Sequence, residues 1–184
     1  IEHFDLIYDS LGYNAQIIFG VGEEIMVARP SVFGPFPAAI KGVVEKSIKY
    51  RRMAHSAEDI TGFVLQRDYN CSLPVHHSDV KHGFVINFPS QPEINLVELE
   101  GKVRDIIRQD LPITVPGENQ IAVGEQVLPC TGNRIHVRRT SEIQNFRLVR
   151  HFSYHPIFKE YLLIGIVGPR ELVGYEDIAS VLDG

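Results

Sequence analysis

The sequence predicts an α+β fold: a mainly antiparallel sheet with two or three amphipathic helices, in a single domain over residues 1–184. Three observations predict it. Strand-like apolar runs come in neighbouring groups, and helical patterns interrupt them without strict strand–helix alternation. The composition, 44% hydrophobic and 22% charged over 184 residues, is that of an ordinary folded protein. A chain of this length also carries enough apolar side chains for one real core.

The elements follow in chain order. Phe4 to Tyr8 is a short apolar run closed by the turn chemistry of Asp9-Ser10-Leu11-Gly12. Ala15 to Phe19 and Ile25 to Ala28 are β-type runs around Gly20-Val21-Gly22-Glu23-Glu24, which predicts a hairpin. That Gly-x-Gly lacks the third glycine and the helix start of a dinucleotide loop. Pro30 to Pro37 is a proline-rich loop. Ile40, Val43, Val44 and Ile48 then recur at helical spacing, with Glu45 and Lys49 as an i,i+4 pair. This helix is expected to end near Met53, with Ser56 capping a short further turn.

Phe63 to Tyr69 and Gly83 to Phe88 read as strands flanking a histidine-bearing loop. Ser90-Gln91-Pro92-Glu93 resembles a capping box. From there Leu96, Leu99, Val103, Ile106, Ile107 and Leu111 share one helical face until Pro112. Gln120 to Leu128, Arg134 to Arg139, Asn145 to Tyr154 and Tyr161 to Val167 are strand candidates, and Glu171 to Leu182 a closing helix.

Three constellations bear on function. The first is a basic β-ribbon. Between Gly132 and Lys159, six arginines and lysines face one glutamate, a net +5 in a chain of net charge −5, so the remainder carries −10. Alternation puts Arg134, His136 and Arg138 on one face of a strand and Ile135 and Val137 on the other. If Asn145 to Tyr154 pairs with it, Arg147 joins the basic face. Arginine forks suit carboxylates and phosphates, so this face is expected to bind an anionic partner or ligand. The competing reading is a solvated sheet face whose arginines pair with acids elsewhere.

The second is the loop from His76 to His82. His76, His77, Asp79 and His82 are candidate metal ligands, with His55 as a further contributor in space, although their spacing matches no known metal motif. The third is Asp79 with Glu100 and Lys102. In some metal-dependent nucleases an aspartate on one strand and a Glu-x-Lys on the next hold a cation and stabilise phosphate charge. Here the Glu-x-Lys falls within the predicted amphipathic helix, which would point the two side chains apart.

No nucleophile elbow, phosphate-binding loop or dinucleotide fingerprint is visible. The expectation is therefore a binding or assembly module, a subunit or sensory domain of a larger system, more than an enzyme. A protein partner or self-association leads, with an anionic ligand or nucleic acid as the alternative. A metal-dependent phosphodiesterase using Asp79, Glu100 and Lys102 is the rival. The sequence leaves any cofactor unknown. Cys71 and Cys130 have no paired spacing, which favours free thiols in a cytoplasmic or other reducing compartment, with one disulfide as the alternative. The longest apolar runs fall far short of the roughly 18–20 residues that cross a membrane, so the chain is expected to be soluble. It begins with Ile1, which predicts a processed form or an excerpt of a longer chain.

Overall fold

The computed structural model describes Ser10 and residues 17–21, 25–29, 37–72, 77–80, 82–129 and 135–168. The expected run at Phe4 to Tyr8, the helix at Glu171 to Leu182, and His76, Cys130 and Arg134 lie outside the described residues. Helices and antiparallel sheets make an α+β fold, as the sequence predicts. The chain divides into two compact units, Ile1–Lys49 and Tyr50–Gly184.

In the first unit, strands β1 (Ile18–Val21) and β2 (Ile25–Ala28) pair antiparallel as the expected hairpin. Ile18 packs with Ile40 and Val44 of helix α1 (Pro37–Tyr69), which begins in this unit. Proline at the first helical position costs no hydrogen bond, because that N–H would have no helical acceptor. Glu45 makes its ion pair back to Lys41, at 4.0 Å.

Helix α1 continues through the second unit and is 33 residues long. It overrides the expected end near Met53, the Ser56 cap and the expected strand from Phe63 to Tyr69. The reason is a buried stripe at helical spacing: Met53, Ala54, Ala57, Ile60, Val64 and Leu65. His55, Ser56, Glu58 and Thr61 are buried beside it and break up the apolar pattern in the sequence. The helix closes at Asn70, which takes a positive φ of 52°, while the Cys71 N–H donates to the Leu65 carbonyl at 3.1 Å.

Strand β3 (His77–Val80) pairs with β4 (Gly83–Phe88), so four residues of the expected histidine loop are strand. Helix α2 (Leu96–Arg108) has the predicted face: Leu96, Leu99, Val103, Ile106 and Ile107 are all buried. Its cap is Asn95, not the box at Ser90. The Asn95 carboxamide oxygen accepts from the N–H groups of Val97 and Glu98 at 3.0 and 3.2 Å.

The expected strand from Gln120 to Leu128 is a hairpin within a three-stranded meander. Its strands are β5 (Ile113–Gly117), β6 (Gln120–Val123) and β7 (Gln126–Pro129). Gly124, at φ 62°, makes the turn between the last two. The expected strand from Asn145 to Tyr154 is likewise two pieces, β8 (Arg147–Leu148) and β9 (Ser153–His155). Both pair with β10 (Glu160–Ile166), and β10 also pairs with β4, giving the order β3-β4-β10-β8 with β9 beside β10.

Phe84, Ile86 and Phe88 of β4 and Leu163 of β10 join the main core with α1, α2 and the meander. Val85, Leu162, Ile164 and Ile166 form a second buried cluster, with Val149 against it. Both faces of β4 and β10 are thus covered, and for that reason these strands read as unbroken apolar runs. Among the described residues no helix is long and apolar enough to cross a membrane.

Candidate functional site

The expected basic ribbon does not form as a paired sheet. Residues 135–138 lie in no strand, and Arg139 makes a single bridge, to Pro112. Helix α1 and a nearby turn satisfy this backbone instead. The Val137 N–H donates to Ser56 Oγ at 3.1 Å, and His55 Nδ1 donates to the Ile135 carbonyl at 3.2 Å. The Arg138 and Arg139 N–H groups donate to Glu142 Oε1 at 3.1 and 3.0 Å. The Arg138 carbonyl accepts from Ile113 at 2.8 Å. With these partners the segment needs no neighbouring strand.

The four ribbon residues are therefore dispersed. Arg134 lies outside the described residues. His136 is not on an exposed face: its side chain is 4% exposed and Nε2 lies 2.9 Å from Oδ2 of Asp59, itself 9% exposed. Val137 is buried as expected, but Ile135 is exposed. Arg138 is exposed. Arg147 is half-buried on β8, opposite Ile166 of the second cluster, and its Nη1 reaches the Asn145 carbonyl at 3.4 Å. Its Nη2 is buried with no hydrogen-bond partner among the described residues. Arg139 is held by Asp110 at 2.8 Å, and that guanidinium, with the Ser141 hydroxyl, pulls the Asp110 carboxyl below its usual range.

Glu100 and Lys102 sit on α2, so the strand geometry of the nuclease pattern is not present. Glu100 is buried, and both its oxygens are engaged. Oε2 accepts from the Leu148 N–H at 2.7 Å, and Oε1 lies 3.0 Å from Arg104 Nη2 and 3.2 Å from Arg150 Nη2. This carboxylate ties α2 to β8. Lys102 turns the other way, to Glu98 at 2.9 Å and Asp68 at 3.2 Å, over the ring of Tyr69. The Glu98 hydrogen bond, foremost, raises the Lys102 ammonium well above its ordinary value. Asp68 is lowered to about 2, chiefly by its hydrogen bond from Arg67, with Lys102 adding to it. Burial pushes the Tyr69 hydroxyl up.

Of the candidate metal ligands, His77 and Asp79 lie on β3, opposite Ile86 and Phe84 in register. His82 lies in the turn after it, its ring 4.4 Å from that of Tyr50, and His55 is buried on α1. Among the described residues no three potential ligands are grouped to hold a metal ion. Cys71 is a free, half-buried thiol whose pKa burial raises.

One surface feature lies within the basic stretch of residues 132–159 but apart from the expected ribbon face. The turn between β9 and β10 projects Ile157 and Phe158, exposed by 79 and 69%, and Tyr154 on β9 is exposed by 52%. The turn's conformation is fixed from within. The Phe158 N–H donates to His155 Nδ1 at 3.3 Å, and the two rings stack 4.7 Å apart. Tyr154 and Tyr161, partners across β9 and β10, pack with ring centroids 5.1 Å apart, and Lys159 adopts a positive φ of 55° to close the turn. The signal in the sequence is Pro156 followed by two large apolar residues between strand runs, where turns are ordinarily polar. From Arg147 to Lys159 the chain carries Arg147, Arg150, His151, His155 and Lys159 and no acid.

A scan against protein-family models finds no match to this chain, and a search of curated proteins finds none either.

Proposed function

We propose that this chain is a binding or assembly module that contacts an acidic protein partner through its basic stretch, residues 132–159. The observation that carries this reading is the hairpin tip: Ile157 and Phe158 stand 79 and 69% exposed within a stretch, residues 132–159, that has a net charge of +5. Large apolar side chains held rigid in water are typical of contact anchors, because little side-chain freedom remains to be lost on binding. Arg138, Arg150 and Lys159 supply exposed cations in the same stretch. Lys159, in the turn itself, steers an acidic surface toward the apolar anchor. Arg150 divides its role, since it also holds Glu100.

The test uses poly-L-glutamate as the acidic probe and polyglutamine as the neutral control, with binding followed by calorimetry. The wild-type chain is expected to bind only the acidic polymer. Binding should weaken as salt rises, since exposed charges are screened over about 8–10 Å at physiological ionic strength. The double substitution R138E/K159E, at two exposed positions, should remove binding while circular dichroism stays unchanged. A folded double variant that binds like wild type overturns the proposal, as does a wild-type chain that does not distinguish the two polymers.

A further inference from the structure

We infer that the partner of the hairpin tip is the β5–β6–β7 meander of a second copy of this chain, so that copies associate head to tail. The inference rests on the binding reading above and adds the surface that receives the tip. The two surfaces are complementary in both terms that matter. The tip offers Tyr154, Ile157 and Phe158 among cations, with no acid between Arg147 and Lys159. The meander's own residues carry the opposite charge: from Leu111 to Pro129 there is no lysine or arginine, and Glu118 and Glu125 are both exposed, while Arg138 and Arg139 adjoin only the start of β5, where Arg139 is paired with Asp110. It also offers apolar surface on its edge strand, with Val127 exposed by 57%.

The meander has an open side as well. Its strand order is β5-β6-β7, and β7 pairs only with β6 among the described residues. An edge strand bearing an exposed valine is a ready template for a neighbouring chain. The meander's inner residues, Ile113, Ile121, Val123 and Leu128, are fixed in the main core, so this edge is presented on a rigid support. Tip and meander are different surfaces, so their contact is heterologous. Such a contact leaves one free tip and one free meander on every pair, and it closes into a ring or extends into a chain.

That asymmetry supplies the test. Phe158→Asp spoils the tip and leaves the meander intact, while Val127→Asp spoils the meander and leaves the tip intact. Both positions are exposed, so both variants are expected to fold. In sedimentation velocity at low salt, the wild-type chain should form species larger than a dimer as concentration rises. Each variant alone should stay monomeric, its apparent dissociation constant raised at least about tenfold, the effect of losing one anchor contact. Mixed in equal amounts, the two variants should give a one-to-one dimer and nothing larger, because only one tip and one meander remain able to meet. Either variant assembling like wild type overturns the inference, as does a mixture that stays monomeric. A wild-type chain that binds poly-L-glutamate yet remains monomeric defeats the head-to-tail contact alone. A chain that does neither defeats both readings.

Discussion

Replacing Phe84 by alanine is expected to lower unfolding stability by about 3–5 kcal/mol, the range for truncating a fully buried phenylalanine. The ring has no exposed surface and stacks on Phe146 with centroids 6.4 Å apart. It also covers Gly165, its direct partner across β4 and β10. A Cβ added at Gly165 would run into the Phe84 ring, so Gly165→Ala alone should cost about 1–3 kcal/mol through overpacking. The two effects share one volume. In the double variant the new methyl enters space that the ring has left, and the combined loss should be smaller than the sum of the single losses. Urea unfolding of the four proteins measures this. Strict additivity would mean that ring and glycine do not depend on each other.

The second large effect is at Glu100. Glu100→Ala should cost about 2–4 kcal/mol. Most of that is the Leu148 N–H, which loses its Glu100 acceptor in a buried place, a loss of about 1–3 kcal/mol. Arg104 and Arg150 contribute less, because their side chains are 48 and 57% exposed and such pairs are worth at most about 1 kcal/mol. Glu100→Gln keeps an acceptor for the amide and should retain most of the stability. Amide exchange reports the cause directly. The Leu148 N–H should exchange faster in the alanine variant, and if it does not, the carboxylate is not what holds β8 to α2.

Glu100 also shows what a pattern can and cannot reveal. Helix α2 is legible because its apolar spacing and its burial coincide. The buried glutamate within it is not, since its reason for being there is an amide 48 residues away. The second half of α1 fails for a related reason. His55, Ser56 and Asp59 look like an exposed, helix-ending cluster, but they are polar because they hold residues 135–137. The same contacts undo the ribbon. Alternation at Arg134 to Arg138 is compatible with a strand, but a strand exists only beside another, and here side chains of a helix take that place. What the sequence does carry is the charge of residues 132–159. The apolar tip within that stretch is not legible, because Ile157 and Phe158 stand between two apolar strand runs with only Pro156 to mark the turn.

Hydrogen exchange read by mass spectrometry tests the central claim, that the β9–β10 tip is the contact surface. The full chain would be compared free and saturated with poly-L-glutamate at low salt. Slowed exchange centred on residues 153–160, and absent from R138E/K159E under the same conditions, is the predicted result. Binding of the polymer with exchange at 153–160 unchanged, and protection elsewhere, would contradict it.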